Sequence, residues 1–467
     1  MSENFFNNKI QKIVKVLILI LFSCNIFASD DIDSYLGPGD NKEGYDSKNY
    51  TTNSISLDDR KGKKADLLQY VTIKQLGLPE LIIPENNKIT KEKIELGKKL
   101  FFDRRLSLNN TMSCGMCHVP EQGFTNNEIK TAVGIEGRSN LRNTPTILNV
   151  AFNKFLFHDA REFSLENQVW QPVLAHSEMA MPSFGFTIKK LELIPGYKEM
   201  FDNAFPGEGI NMETFGKAIA SYERALVSAN SSFDKWYFGK NEEAVNDNVK
   251  KGFEVFVGKG GCSSCHQINK NEALFFDNKL HNTGIGYAES MGVLKKIKTK
   301  VQLAPGEYVE VDNEIINSVN QQKRNNDLGL YTITENPEHR WLFKTPSLRN
   351  VSLTAPYMHN GIFSTLDEVI DFYNGGGFSN ELLSPMIKKL NLTKDEKNNL
   401  KYFLESLVGD NINILVADAL STPVGDLTKD DPNWANENDM GYNKWHENRS
   451  EERRVGKECR SRWSPYH

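Results

Sequence analysis

Apolar residues recur at helical spacing along much of the chain, and these stretches predict amphipathic helices. The first helix begins after Thr90, which can cap it, and it places Ile94, Gly97 and Phe101 on one face. Further helices are predicted over 164–170, ending before Pro172, and over 215–226, 249–257, 365–374 and 393–408.

Capping and stop signals support the last two of these helices. Each begins with the pattern of a capping box, at Thr365 and at Thr393. Glycines mark their predicted ends, at 375–377 and at Gly409. Residues 284–340 show few periodic signals and are predicted to be rich in loops. Strand signals are weak throughout, so the predicted fold class is mainly α.

Two pentapeptides have the pattern Cys-x-x-Cys-His, which is typical of c-type haem attachment. Two thiols add to the two vinyl groups of one haem, and the histidine that follows becomes an axial iron ligand. A pair of disulfides would not explain the histidines, and zinc sites usually draw their ligands from separated pairs. The predicted haem-binding residues are Cys114, Cys117, Cys262 and Cys265, with His118 and His266 as iron ligands.

The order of helix, loop and haem motif occurs twice, which predicts two related cytochrome c-like domains. A chain of 467 residues is long enough for two or three domains. The polar, charged stretch 241–248 is the candidate boundary. The predicted domains are therefore 65–240 and 241–415, each with one covalent haem.

Composition and the first residues bear on partners and location. The net charge of −5 gives no reason to expect a nucleic-acid partner. Lysines precede the apolar run 16–22, and this pattern indicates a signal peptide over 1–28. Because covalent haem is fitted outside the cytoplasm, the expected location is the periplasm. Lipid attachment at Cys24 and an uncleaved anchor are the alternatives.

Two polar segments flank the predicted domains. Residues 29–64 contain few large apolar groups, which predicts a flexible leader. Residues 416–467 lose helical periodicity, which predicts an irregular tail. The stretch 449–467 is strongly basic and carries an odd Cys459, so we interpret it as a remnant that is foreign to the natural protein.

Several motifs resemble those of the bacterial dihaem cytochrome c peroxidase and MauG family. The resemblance covers roughly residues 90–410, includes both haem motifs and is highly specific as a set. The other matching segments are Leu96–Asp103, Arg142–Thr146, Ser164–Gln168, Ser177–Met179, Phe343–Asn350 and Leu353–His359.

The resemblance implies a distal pocket at the first haem, which is the peroxidatic haem of the family. There a Gln, a Pro and a Glu line the pocket, and Gln168, Pro172 and Glu178 keep their spacing. Glu178 is thereby implied as the acid/base that assists O–O cleavage, and Gln168 as the group that hydrogen-bonds the peroxide. In an apolar haem pocket a carboxylate is expected to have a raised pKa. The alternative is that Glu178 is a surface carboxylate on a loop.

The ligands of the two irons depart from those of typical family peroxidases. Such peroxidases carry a removable distal His, which aligns near Ile135, and no His occurs from 119 to 157. The resemblance therefore implies a five-coordinate first haem that needs no reductive activation. At the second haem it implies Tyr373 as the distal ligand, as in MauG, with Met358 as the runner-up. The remaining alternative is that Tyr373 is a core aromatic residue.

Other positions carried over from the family concern electron transfer and calcium. The inter-haem Trp aligns with His158, and the surface Trp that MauG uses aligns with Gly260, so maturation of methylamine dehydrogenase is not expected. One calcium ion is implied at Asn143, Thr354 and Pro356, an oxygen-rich set that suits a hard cation. The alternative for these residues is turn structure alone. The remaining histidines, His176, His281 and His359, are interpreted as structural or as haem-propionate partners.

The leading functional hypothesis is a periplasmic peroxidase that reduces hydrogen peroxide to water at the first haem. Electrons would enter by the second haem from a small cytochrome c or a cupredoxin. One alternative is a MauG-like oxidase that modifies a protein substrate, and another is a non-catalytic electron-transfer cytochrome. Since family members are often homodimers, the resemblance also raises the expectation of a homodimer.

Overall fold

The computed structural model describes residues 62–194, 196–293, 298–304, 307–312 and 326–422, and all of them lie in one compact unit. The predicted signal peptide, Cys24, most of the leader and the tail from 423 onwards lie outside these residues. Within the described residues, no helix has both the length and the apolar content of a membrane span.

The described residues are mainly helical, which confirms the predicted fold class. Short 3-10 helices cover Glu85–Asn87, Arg104–Leu106, Pro120–Gln122, Ile135–Gly137, Val150–Phe152, Glu242–Ala244, Cys262–Ser264, Pro337–His339 and Val351–Leu353. The α-helices are α1 Leu68–Thr72, α2 Lys91–Phe102, α3 Cys114–Cys117, α4 Leu165–Gln168, α5 Trp170–Leu174, α6 Phe184–Glu192, α7 Tyr197–Ala204, α8 Met212–Ala225, α9 Ser232–Tyr237, α10 Asp247–Val257, α11 Ile285–Ser290, α12 Tyr331–Thr334, α13 Leu366–Gly375, α14 Lys394–Glu405 and α15 Ile412–Ala419.

The strands form two small antiparallel sheets. Strand β1, Leu280–His281, pairs with β4, Phe343–Lys344, and thus joins two segments that are far apart in the sequence. Strands β2, Lys298–Ala304, and β3, Glu307–Asp312, pair with each other as a hairpin. Together with α11 and α12, this hairpin shows that the prediction of a loop-rich 284–340 was only partly right.

In each half of the chain, the helix before the haem motif crosses a later helix at a glycine. A Cβ added at Gly97 of α2 would collide with the carbonyl of Ala218 in α8. A Cβ added at Gly252 of α10 would collide in the same way with the carbonyl of Asn399 in α14. The missing side chain therefore lets each helix pair approach closely and sets the direction in which the chain enters its haem motif.

The two halves also share backbone features at a constant spacing. The same number of residues separates Asn149 from Asn350, both of which are left-handed, with φ of 59° and 61°. It also separates Ser164 from Thr365, whose side chains cap α4 and α13. The isolated bridges Leu156–Glu162 and Tyr357–Phe363 are related in the same way. The repeat supports the prediction of two related cytochrome c-like domains. The boundaries of these domains stay a prediction.

Three element boundaries differ from those predicted. Pro172 does not follow the helix over 164–170 but lies in the first turn of α5, where a missing N–H costs no helical hydrogen bond. Helix α14 ends at Glu405, before Gly409. Residues 416–419 belong to α15, because Asp418 pairs with the buried Lys98 at 3.0 Å.

Candidate haem and peroxide site

The first haem motif is organised around two hydrogen bonds of His118. Cys114–Cys117 forms the single turn α3, and the backbone N–H of His118 donates to the carbonyl of Cys114 at 2.8 Å. On the imidazole ring, Nδ1 donates to the carbonyl of Phe124 at 3.1 Å. This hydrogen bond fixes the tautomer and leaves the lone pair of Nε2 for an iron ion.

The second motif repeats this arrangement. The backbone N–H of His266 donates to the carbonyl of Cys262 at 2.9 Å, and its Nδ1 donates to the carbonyl of Phe275 at 2.8 Å. Phe124 and Phe275 are both left-handed, with φ of 56° and 55°, so both acceptor carbonyls are presented by the same unusual backbone turn. The two motifs, which are distant in sequence, thus hold their histidines with the same pair of hydrogen bonds.

The residues of both motifs fit a covalent haem. All four motif cysteines are free thiols, so the disulfide alternative is not formed. Burial lowers the pKa of His118 to about 4 and also lowers the pKa of His266, which keeps both rings in the neutral form that binds metal.

A zinc site that uses the motif histidines has no support from the described residues. The group there with ligand atoms close enough for a metal ion joins Cys265 to Asp277 and His281. It includes neither His118 nor His266.

Glu178 is placed beside the first motif. The pKa of the Cys117 thiol is raised to about 12. Burial is the larger cause, and the negative charge of Glu178 adds to it. Burial likewise raises the pKa of Glu178 itself, and the positive charge of Arg161 opposes this rise. The carboxylate is therefore a half-buried group near the haem-binding cysteines, and its acid/base role stays a prediction.

Gln168 and Pro172 lead into the turn that carries Glu178. Gln168 ends α4 and is half-buried, and its side-chain amide makes no hydrogen bond to the described part of the chain. The carbonyl of Pro172 accepts from the backbone N–H of Met179 at 3.1 Å, which closes the turn between α5 and Glu178. An unengaged amide and a half-buried carboxylate thus lie at the two ends of one compact segment.

The position aligned with the distal His is filled by an apolar side chain. Ile135 is 1% exposed, and its backbone N–H donates to the carbonyl of Glu178 at 2.9 Å. No atom of an isoleucine side chain can bind iron. The five-coordinate state of the first haem itself stays a prediction.

Tyr373 lies near the second motif. It is half-buried in α13, and burial, followed by the charges of Cys262 and Cys265, raises the pKa of its phenol. A phenol in this position needs a ferric ion to ionise it. Met358 is half-buried with a left-handed φ of 72°, and it stays the alternative ligand.

Two residues near the motifs were missed in the sequence. The Sδ of Met386 lies 4.0 Å from the Sγ of Cys265, and the sequence shows only a methionine in a segment without periodicity. Glu223 is 6% exposed within α8, and its Oε2 has no hydrogen-bond partner among the described residues. Burial raises the pKa of Glu223 to about 8. In the sequence, the only signal for Glu223 was a carboxylate on an otherwise apolar helix face.

His158 lies where the two halves meet. Its carbonyl accepts from the backbone N–H of Lys344 at 2.7 Å, and its Nε2 donates to the carbonyl of Asn143 at 3.0 Å. The backbone N–H of Asn143 in turn donates to the carbonyl of His359 at 2.7 Å. His359 stacks on Phe343 with 3.7 Å between ring centroids. Two histidines and two backbone segments thus form a continuous bridge between the halves.

The residues implied for calcium already take part in local hydrogen bonds. The side-chain amide of Asn143 donates to the carbonyl of Lys130 at 2.9 Å, and the hydroxyl of Thr354 donates to the carbonyl of Val351 at 3.1 Å. Pro356 follows a cis peptide bond. These contacts belong to turns, and the calcium ion stays a prediction.

The other histidines have structural partners. Nε2 of His281 lies 2.7 Å from Oδ2 of Asp277. The hydrogen bond of His281 with Cys265 and, to a smaller extent, the one with Asp277 raise the pKa of His281 to about 9. His176 is exposed, and its carbonyl accepts from Arg138.

Comparisons with known proteins give a consistent result. Residues 91–242 match the sequence model of the di-haem cytochrome c peroxidase family. The chain is 36% identical over 333 residues to cytochrome-c peroxidase IdrP1 of Pseudomonas sp. strain SCT, covering 71% of this chain and 84% of that protein. It is 34% identical over 325 residues to the methylamine utilization protein MauG of Methylorubrum extorquens, covering 69% and 80%.

A crystal structure of a MauG-like protein associated with microbial copper homeostasis has a similar fold. Its TM-score is 0.59 at 28% sequence identity, and the match covers 75% of this chain and 96% of that one. The similar proteins thus carry both peroxidase and MauG names.

Proposed function

Because the chain belongs to the di-haem cytochrome c peroxidase and MauG family, and is therefore an oxidoreductase of a family with two c-type haems, we propose that it reduces hydrogen peroxide to water. The observation that carries this proposal is Glu178, a half-buried carboxylate with a raised pKa beside Cys117. A simple electron carrier has no use for an acid/base at this position.

The protein would hold the first haem through Cys114, Cys117 and His118, and the second through Cys262, Cys265 and His266. Bound there, the haems supply the redox chemistry that takes up electrons and reduces the O–O bond. The balanced reaction is one hydrogen peroxide, two electrons and two protons giving two waters.

The residues of the chain handle the protons and the orientation of the peroxide. Glu178 takes the proton from the peroxide oxygen that will bind and returns it to the oxygen that leaves as water. Its raised pKa makes the carboxylate a stronger base for the first transfer than an ordinary glutamate, and the carboxylic acid so formed is still acidic enough to return the proton. The unengaged amide of Gln168 donates a hydrogen bond that orients the peroxide.

Electrons are proposed to reach the second haem from a small cytochrome c or a cupredoxin in the periplasm. The N-terminal sequence supports this location, since it has the pattern of a signal peptide. A calcium ion near Asn143 and a homodimeric assembly are proposed from the family resemblance alone.

The test of the peroxidase proposal is steady-state turnover. The holoprotein is mixed with reduced cytochrome c and hydrogen peroxide, and a Cys114→Ala/Cys117→Ala variant without the first haem is the control. We expect two cytochromes to be oxidised for each peroxide consumed, and only background oxidation with the variant. Two low-spin ferric haems that respond neither to peroxide nor to cyanide would instead identify an electron-transfer cytochrome.

A MauG-like oxidase that modifies a protein is the second candidate, and the position of Tyr373 favours it. A phenolate ligand at the second haem would stabilise oxidised iron there and help the protein to hold two oxidising equivalents. Stoichiometric peroxide without a donor distinguishes the two. Oxidised haem signals that persist and fade slowly would support the oxidase, whereas rapid return on addition of reduced cytochrome c would support the peroxidase.

A further inference from the structure

The turn that carries Glu178 is bound along one side by the loop 132–142. The backbone N–H of Ile135 donates to the carbonyl of Glu178 at 2.9 Å. The guanidinium of Arg138 donates to the carbonyl of His176 at 2.8 Å. These hydrogen bonds join two segments that are about forty residues apart, as the sequence numbering shows.

Ser177, which lies between His176 and Glu178, is also bound by loop 132–142. The hydroxyl of Ser177 donates to Oδ1 of Asn140 at 2.5 Å. Gly134 packs so closely against the turn that an added Cβ would collide with the carbonyl of Ser177 and with Cα of Glu178. Loop 132–142 therefore contacts each of the three consecutive residues His176, Ser177 and Glu178.

The loop is itself closed and anchored. The backbone N–H of Asn140 donates to the carbonyl of Ala132 at 2.8 Å, and that of Ala132 donates to the carbonyl of Arg142 at 3.1 Å. The guanidinium of Arg142 binds Asp327 at 2.6 Å and Asp159 at 2.7 Å. A loop closed at its base and tied to two carboxylates can hold another segment in place.

We propose that loop 132–142 is a positioning element for catalysis, in which Arg138, Asn140 and Gly134 hold Glu178 at the first haem. The inference rests on the proposed function and adds residues that do not touch the peroxide. In this arrangement the acid/base is in place before peroxide arrives, because the contacts are made by the resting protein. None of the three residues carries a proton in the reaction, so each acts only through Glu178.

The contact itself is tested by amide hydrogen exchange on the holoprotein. We expect Arg138→Ala and Asn140→Ala to speed exchange of the Ile135 amide by at least an order of magnitude, and Arg138→Lys to restore protection in part. Gly134→Ala should do the same by pushing the turn away. Gly185→Ala is its matched control, because a Cβ there meets no atom within 4 Å. Parent-like exchange at Ile135 in all three loop variants would overturn the proposal.

The catalytic role is tested by a double-mutant cycle on the reaction with stoichiometric peroxide. Arg138→Ala and Asn140→Ala should each slow the reaction roughly 10- to 100-fold when Glu178 is present. They should have no further effect when added to Glu178→Gln, because they act through the group already removed. Arg138→Lys should recover part of the rate.

The outcomes separate this proposal from the proposed function. If Glu178→Gln reacts as fast as the parent, the acid/base role of Glu178 is wrong, whatever the loop does. If Glu178→Gln is slow but the loop variants keep the parent rate, Glu178 is catalytic and the loop does not position it. Equal slowing by Arg138→Ala in the parent and in Glu178→Gln would mean general damage to the fold and would also overturn the positioning role.

Discussion

The backbone N–H of Lys344 donates a 2.7 Å hydrogen bond to the carbonyl of His158, the residue that aligns with the inter-haem Trp of the family. The bond uses the main chain of both residues and does not depend on either side chain. A connection between the halves is therefore kept although the indole is absent.

Replacing the ring of His158 should affect stability more than electron transfer. In His158→Phe the backbone bond to Lys344 remains, so we expect electron transfer between the haems to stay within an order of magnitude of the parent rate. The carbonyl of Asn143 loses a buried donor, which should lower the free energy of unfolding by about 1–3 kcal/mol.

Rapid-mixing reduction of the second haem measures the electron transfer, and urea denaturation measures the stability. His176→Phe is the control, because that side chain is exposed. A hundredfold slower transfer in His158→Phe would show that the imidazole itself carries the electrons.

The reaction with peroxide should depend on the ionisation of Glu178. Burial raises the pKa of Glu178 above its ordinary value of 4.5, and only the ionised carboxylate can take up the peroxide proton. The rate should therefore be full above this raised pKa and fall as the pH drops through it. Arg161 faces the carboxylate with a positive charge and limits the rise.

Glu178→Gln should slow the reaction by about 10²- to 10⁴-fold and remove its acid limb. The measurement is stopped-flow absorbance with stoichiometric peroxide across the pH range. Glu128→Gln serves as the control, because Glu128 is exposed and its carboxylate accepts a hydrogen bond from the side-chain amide of Gln122. An acid limb that persists in Glu178→Gln would mean that another group titrates.

The second haem should respond to substitutions of Tyr373. Phe cannot supply an anionic oxygen, so Tyr373→Phe should raise the reduction potential of the second haem and change its ferric spectrum. Tyr402→Phe is the matched control, since Tyr402 is 45% exposed on α14. Spectroelectrochemical titration gives both readouts. An unchanged second haem in Tyr373→Phe would leave Met358 as the ligand to test.

Arg349 should be among the residues whose loss destabilises the fold most. Its guanidinium binds Asp234 at 2.9 Å and the carbonyls of Ala273 and Gly77 at 2.7 and 2.6 Å, all in buried surroundings. Arg349→Ala leaves the Asp234 carboxylate buried without its partner, which should cost about 3–5 kcal/mol. Urea denaturation followed by circular dichroism measures the loss. Arg340→Ala, which removes an exposed guanidinium, should cost less than about 0.5 kcal/mol.

Local signals in the sequence were enough for much of the helical framework. The capping boxes at Thr365 and Thr393 and the cap at Thr90 are formed as predicted, because each needs only residues within one turn. The haem motifs were legible for the same reason, since five adjacent residues carry the chemistry.

Features that depend on distant partners were not legible. The placement of Pro172 in α5 follows from the three-dimensional context, whereas the hairpin β2–β3 was missed although a Pro-Gly pair separates two alternating stretches of the sequence. The resemblance suggested Glu178, but its position beside Cys117 and the loop that binds it appear only in the folded chain. Met386 was missed because a single methionine outside a motif has no signal of its own, and Glu223 because a carboxylate on an apolar helix face does not by itself show which site it lies near.

The bonds that join the halves have the form of a two-fold contact. Asn143 corresponds to Lys344 and His158 to His359 by the constant spacing of the repeat, and each backbone N–H donates to the histidine of the other half at 2.7 Å. Such reciprocity is what two identical subunits make across a symmetry axis, where residue i meets j and j meets i. The contact between the halves of this one polypeptide therefore has the reciprocal form of an isologous dimer interface.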